Sequence, residues 1–260
     1  MSSRRFPQRL PISAIRTTDP ARESRDALVF CVLAILASLA AGLVGRAWPQ
    51  PLWGAAHLSS DATYVFGFKF GVLLLMPLVW LARRGYRFPD LLLGWHPTPR
   101  ALVTVLASYL AGASINAGKL APILAAARRL PPAEAAGRMA AGWIVVGVTA
   151  GLAEELGFRW GVQTRLERTW GRLPALLVTA VLFTAWHLPS RYVLASGAEG
   201  RAGDFGSVLL GTGLPVFVVA LLLGWAWDRW RNLPALVAFH WGVDTLVSIA
   251  SFLKIASGSH

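Results

Sequence analysis

Residues 27–44 read ALVFCVLAILASLAAGLV, an apolar run without a charged side chain. About 20 predominantly apolar residues in helical form cross the ~30 Å hydrocarbon core of a bilayer, so the run reads as a membrane span. A cleaved leader has a shorter apolar region of roughly 7–15 residues, which favours an uncleaved first helix. Working outward, comparable runs recur at 62–82, 101–118, 138–163, 174–190, 207–227 and 234–253. Backbone polar groups find no water in hydrocarbon and must pair internally, which leaves helices for runs of this length. The expected fold is all-α, a polytopic transmembrane bundle of about seven helices over 27–260. A polar, Arg-rich cytoplasmic tail at 1–26 precedes it.

The composition agrees. Of the 260 residues, 55% are hydrophobic and 15% charged, against about 25% charged in a soluble domain. The net charge of +12, from 25 Lys and Arg against 13 Asp and Glu, could suit nucleic acid. The basic residues lie between apolar runs instead, where they act as a topology signal, so no nucleic-acid partner is expected. The tail, 83–100 (Arg83, Arg84, Arg87, Arg100), 164–173 (Arg165, Arg168, Arg172) and 228–233 (Arg229, Arg231) belong on the cytoplasmic side. The loops 45–61 and 191–206 are nearly neutral and fall outside. Segment 119–138, with Lys119, Arg128, Arg129 and Arg138, breaks the rule; an interfacial amphipathic helix at 119–130 would accommodate it. The expected location is the cell membrane, multi-pass, with the N-terminus in the cytoplasm. Trp48, Trp53, Trp80, Trp95, Trp170, Trp225, Trp227 and Trp230 lie near expected span ends, where indole prefers to sit. A single cysteine, Cys31, excludes an internal disulfide, a cysteine zinc knot and an iron–sulfur centre.

Ionisable residues inside spans are the informative exceptions. A charged group near a span centre costs roughly 2.5–3.5 kcal/mol on insertion scales, and the default reading is function with a named partner. The fourth span, GWIVVGVTAGLAEELGFRWG at 142–161, holds Glu154, Glu155 and Arg159. Glu155 and Arg159 are four apart and can pair. Gly147, Gly151, Gly157 and Gly161 allow close helix approach, so the carboxylates should face the bundle. The fifth span ends in Phe183 to His187, and the seventh carries His240 and Asp244 four apart. Asp244, Glu154 and Glu155 are the acidic residues expected to be buried within spans. Lys69 lies in the second span, where snorkelling or packing toward the bundle accounts for it.

With helix four running on to Trp170 and a turn at Gly171, Glu155 and His187 lie about 24 Å and 20 Å from that turn. His240 lies only about 9 Å from Pro234 and joins them if the 164–173 hairpin projects beyond the 228–233 turn. Taken singly, each piece has an ordinary explanation. Glu155–Arg159 suits a structural ion pair, His187 a helix-end histidine before Pro189, and His240–Asp244 a buried hydrogen-bonded pair. Glu154 is harder to explain that way, because its neighbour already takes the arginine.

Glu154, Glu155 and Arg159, then Phe183 and His187, then His240 and Asp244, on successive membrane helices, resemble the CPBP family. These are the CAAX protease and bacteriocin-processing, or Abi, proteins, related to type II CAAX prenyl endopeptidases. The resemblance covers a core at about 138–253 and implies an intramembrane endopeptidase. It implies that Glu154 activates a water with help from His187, that Glu155 pairs with Arg159, and that His240 and Asp244 stabilise the oxyanion. The last position is often Asn in the family, and a carboxylate would repel an oxyanion. Asp244 is therefore expected to be protonated, to orient His240, or to bind a cation. No cofactor is required by the metal-free mechanism. A divalent metal such as zinc would find its ligand types in Glu154, His187, His240 and Asp244.

The implied partners are a membrane-anchored protein or peptide substrate and the lipid bilayer. The sequence does not fix an oligomeric state. A non-catalytic bacteriocin-immunity or scaffold protein would keep the bundle without needing the motif residues. A proton-coupled transporter would also place Glu and His in the membrane, with broken helices in repeated halves; no such halves are visible.

Overall fold

The computed structural model of the chain describes residues 19–47, 64–92, 95–195 and 197–254. Most of the expected tail, Trp48, Trp53 and the first residues of the span expected at 62–82 lie outside them. Every regular element among the described residues is helical. Helix α1 is Pro20–Ala47. Helix α2 covers 64–83, wound as a π-helix over Tyr64–Leu75 and as an α-helix over Met76–Arg83. Helix α3 is Pro99–Ile115 and α4 is Leu120–Ala127. Helices α5 (Pro132–Trp170), α6 (Arg172–Leu194), α7 (Phe205–Trp230) and α8 (Leu233–Lys254) complete the bundle.

Five helices, α1, α5, α6, α7 and α8, are long and apolar enough to cross a membrane. Counting α3 with Ala117–Ala127, bent from it by 67°, makes six. The chain is a multi-pass helical membrane protein. Its outer surface carries Val29, Val32 and Leu36 of α1, Leu102, Val103 and Leu106 of α3, and Leu210, Leu214 and Leu222 of α7. Glu154, Glu155, Arg159 and His240 are buried inside. Apolar surface of that extent would be a liability in water and is the natural face toward lipid.

Local chemistry sets the helix ends. Thr98 caps α3 by accepting from the Ala101 N–H at 3.2 Å, with Pro99 in the first turn. Asp204 caps α7 through the Ser207 N–H at 3.0 Å. Gly171, at φ 83°, makes the turn between α5 and α6 expected of it.

The expected span at 101–118 ends instead at Ile115, and the chain bends into α4. The expected interfacial helix is thus shorter than 119–130 and docks on α8, with Ile123 buried against Ile249 and Leu253. The fourth span begins at Pro132, ahead of the expected 138. Arg138, counted among the basic residues of 119–138, lies inside this helix and pairs with Glu134 one turn before it, Nη2 to Oε1 at 2.6 Å.

Helices α3 and α8 pack at backbone distance. A Cβ on Gly112 would lie 2.1 Å from the Phe239 carbonyl oxygen, and one on Gly242 would lie 2.2 Å from that of Tyr109. Gly147 and Gly151 of α5 lie under Trp241 and the Val237 carbonyl of α8, the close approach expected of that glycine series. Where the expected connections meet, Arg84 pairs with Asp26, Arg172 with Asp228, and Arg231 with Glu167. The basic segments 83–100, 164–173 and 228–233 therefore gather at one end of the bundle with the start of α1.

That end corrects three expectations. Arg165, expected in a projecting hairpin at 164–173, is fully buried in α5, its Nε 3.3 Å from Glu23 Oε2 and its guanidinium over Trp80 and Trp160. Glu23 and Glu167 are buried acids as well, because helix ends pack there with basic partners. Trp227, expected at the lipid boundary, is buried and donates to Thr164 Oγ1 at 3.0 Å.

Candidate active site

Helix α5 is not uniformly wound. Gly147–Leu152 and Glu155–Gln163 have π-helical winding, and Glu154 precedes the second stretch directly. Bonding from i to i+5 puts more residues into each turn, and such stretches recur at functional sites. Glu155 opens the second stretch and contacts His240. The two elements whose meeting was conditional on depth are in contact.

Glu155 has no exposed surface and lies between two cations or cation-forming groups. Its Oε1 is 2.7 Å from His240 Nδ1, and its Oε2 is 3.4 Å from Arg159 Nε. The Glu155–Arg159 pairing expected from their spacing is present. Among the described residues Arg159 forms no side-chain hydrogen bond; its guanidinium lies over the Phe183 ring, 4.6 Å from the centroid. Charge attraction and a cation–π contact hold it.

Glu154 is likewise buried, and its two oxygens face different partners. Oε1 is 2.5 Å from Lys69 Nζ of α2. Oε2 faces His187 Nε2 at 3.8 Å and His240 Nε2 at 3.9 Å. Neither imidazole distance is a hydrogen bond, but 3.8 Å is a separation that one water molecule can bridge. His187 Nδ1 is 2.8 Å from the Phe183 carbonyl oxygen, which can only accept. That contact assigns the proton to Nδ1 and leaves the Nε2 lone pair directed at Glu154.

Asp244 Oδ2 is 3.4 Å from His240 Nε2. Its side chain is 38% exposed, against 1% for Glu154, so the cluster opens at Asp244. Aromatic rings wall the rest. Phe183 lies 4.9 Å from His187 and 5.0 Å, edge-on, from Phe158; Trp186 meets His187 edge-on at 4.6 Å.

The structure thus brings all six sequence-derived residues, Glu154, Glu155, Arg159, His187, His240 and Asp244, into one cluster. It adds Lys69, which the sequence left as a snorkelling or packing residue. The available signal was a lone cation in an apolar segment, GFKFG at 67–71. Its partner is 85 positions away, so no local spacing could name it.

A general base, an imidazole with a free lone pair and a second imidazole ringed by carboxylates can together activate water and receive developing negative charge. Among the described residues, no three His, Cys, Asp or Glu side chains stand as a metal-holding set, and Glu154 Oε1 faces an ammonium.

Residues 136–246 match the family described as type II CAAX prenyl endopeptidase Rce1-like. That stretch contains all six sequence-derived site residues; Lys69 lies outside it. No curated protein and no solved structure matches the chain.

Proposed function

We propose, with residues 136–246 belonging to the type II CAAX prenyl endopeptidase Rce1-like family, that this chain is an intramembrane endopeptidase. It hydrolyses a peptide bond in a membrane-anchored protein or peptide. The observation that carries the reading is the pair of acceptors 3.8 Å apart, Glu154 Oε2 and His187 Nε2. Two acceptors at that distance cannot bond each other, but both can receive the O–H groups of one water.

In the proposed reaction, the oxygen of that water attacks the scissile carbonyl carbon while its proton passes to Glu154 Oε2. His187 accepts the other O–H and aims the lone pair. The carbonyl oxygen becomes an oxyanion facing His240 Nε2–H, and preorganised donors at such a position carry much of the rate enhancement in acyl transfer. The C–N bond then breaks and Glu154 returns its proton to the leaving amine.

His240 suits the donor role because Glu155 and Asp244 flank both of its ring nitrogens. A doubly protonated ring answers both carboxylates, with Asp244 orienting it; this is the assignment we adopt among those open to Asp244. Glu155 holds His240 from α5, and Arg159 balances the charge of Glu155. No step requires a metal. The ammonium at Glu154 Oε1 already offsets part of the charge of that carboxylate. The orientation that goes with this reading is the cell membrane with the basic end of the bundle in the cytoplasm.

The test uses liposomes and a fluorogenic peptide ending in farnesyl-cysteine and three further residues, beside its unprenylated counterpart. Wild type should cleave the prenylated probe. Glu154→Ala and His187→Ala should each lose about 10²-fold or more, the usual contribution of acid–base groups. Both variants cleaving like wild type would overturn the assignment. Activity abolished by a chelator, with stoichiometric zinc in the purified protein, would overturn the metal-free mechanism.

A further inference from the structure

Lys69 enters the site from α2, outside the family-matched stretch of 136–246. Its ammonium is 2.5 Å from Glu154 Oε1 and 5.3 Å from the centroid of the Trp186 ring. The same indole meets His187 edge-on at 4.6 Å. One aromatic side chain therefore contacts the lysine on its face and stands at 86° to the histidine ring. Ionisable groups persist in a span where function holds them, and Lys69 is the cation of an otherwise apolar stretch, YVFGFKFGVLLL.

A free carboxylate turns about its last torsion, which is broad and roughly two-fold, so neither oxygen of Glu154 would face the imidazoles by default. A charge-assisted bond to one oxygen fixes the other. We infer that Lys69 is a positioning residue for the proposed reaction: it anchors Glu154 Oε1 and thereby presents Oε2 to His187 Nε2 and His240 Nε2. Lys69 does not touch the scissile bond. It acts through Glu154, from a helix that the motif residues do not occupy.

This inference rests on the endopeptidase reading, and its test separates the two. In detergent or liposomes, with the farnesyl-cysteine peptide as probe, Lys69→Met should lower kcat by about 10²-fold, the loss that a 1 Å misplacement of a reacting group can cause. KM should stay within about threefold, because uniform binding is untouched. Lys69→Arg, which keeps the charge, should recover part of the loss.

Thermal midpoints of Lys69→Met, Glu154→Gln and the double variant supply a readout independent of turnover. Lys69→Met strands the buried Glu154 and Glu154→Gln strands the half-buried Lys69, so the double variant should lose less than the sum of the two. Additive midpoints would overturn the contact. Coupled midpoints with an unchanged kcat in Lys69→Met would overturn the positioning role and leave a structural pair. Full activity in Glu154→Gln is a different result, since it removes the endopeptidase assignment on which the inference rests.

Discussion

Asp244 is the residue whose chemistry most constrains the account. It stands 3.4 Å from His240 Nε2 at the open edge of a cluster that also buries Glu154 and Glu155. If Asp244 orients His240 by accepting from Nε2–H until the oxyanion takes that hydrogen, an amide oxygen can do the same. Asp244→Asn should therefore keep kcat within about tenfold, whereas Asp244→Ala should lose about 10²-fold, as removal of a group supporting an oxyanion donor does. The kcat of the two variants on the prenylated probe checks this; equal loss in both would exclude the orienting role. At this scale the sequence was unusually informative. Glu155 with Arg159, and His240 with Asp244, announce themselves through i,i+4 spacing inside apolar runs. Lys69 could not, because its partner comes from another helix, 85 positions on. Glu23 and Glu167 also escaped notice, since charges at helix ends read as solvated connections and only packing with Arg165 and Arg231 shows them buried.

The helices carry these residues to a common depth by two devices. One is the π winding of α5 around the glutamate pair; the other is the contact of α8 with α3 at Gly112 and Gly242. Gly242 lies between His240 and Asp244 in sequence, so a side chain there would push the active-site helix away from Tyr109. Gly242→Leu should destabilise the protein by about 1–3 kcal/mol or more, the cost of overpacking a close contact. It should also lower kcat by displacing His240. Thermal unfolding in detergent with parallel turnover measurements checks this, and a wild-type midpoint would mean that α3 and α8 do not approach so closely. The small-residue pattern on α5 was readable from sequence. The bend after Ile115 and the early start at Pro132 were not. Both depend on how α4 docks Ile123 against Ile249 and Leu253, a contact between distant segments.

Among the described residues, the start of α1 and the ends of α2, α5 and α7 meet in one ionic layer. Basic residues dominate that layer, and under the proposed orientation it faces the cytoplasm. Cys31, the single cysteine, is fully buried, which leaves the chain suited to introduced thiols. In membrane vesicles, Arg87→Cys should react with an impermeant maleimide only when the cytoplasmic face is outward, and Arg201→Cys only in the opposite orientation. The reverse pattern would invert the topology. Membrane class and the approximate placing of most spans were legible because apolar length is a local property of sequence, although five or six helices among the described residues qualify as spans where about seven were expected, and the helix at 64–83 is not among them. Helix winding and inter-helix ion pairs were not, because they are settled by neighbours far along the chain. The most direct test of the account is the kcat of Glu154→Gln on the farnesyl-cysteine peptide in liposomes. The substitution keeps the size of the side chain and removes the base. A fall of about 10²–10⁴-fold is expected, the range for a general base, in a protein that remains folded. Wild-type turnover by Glu154→Gln would contradict it.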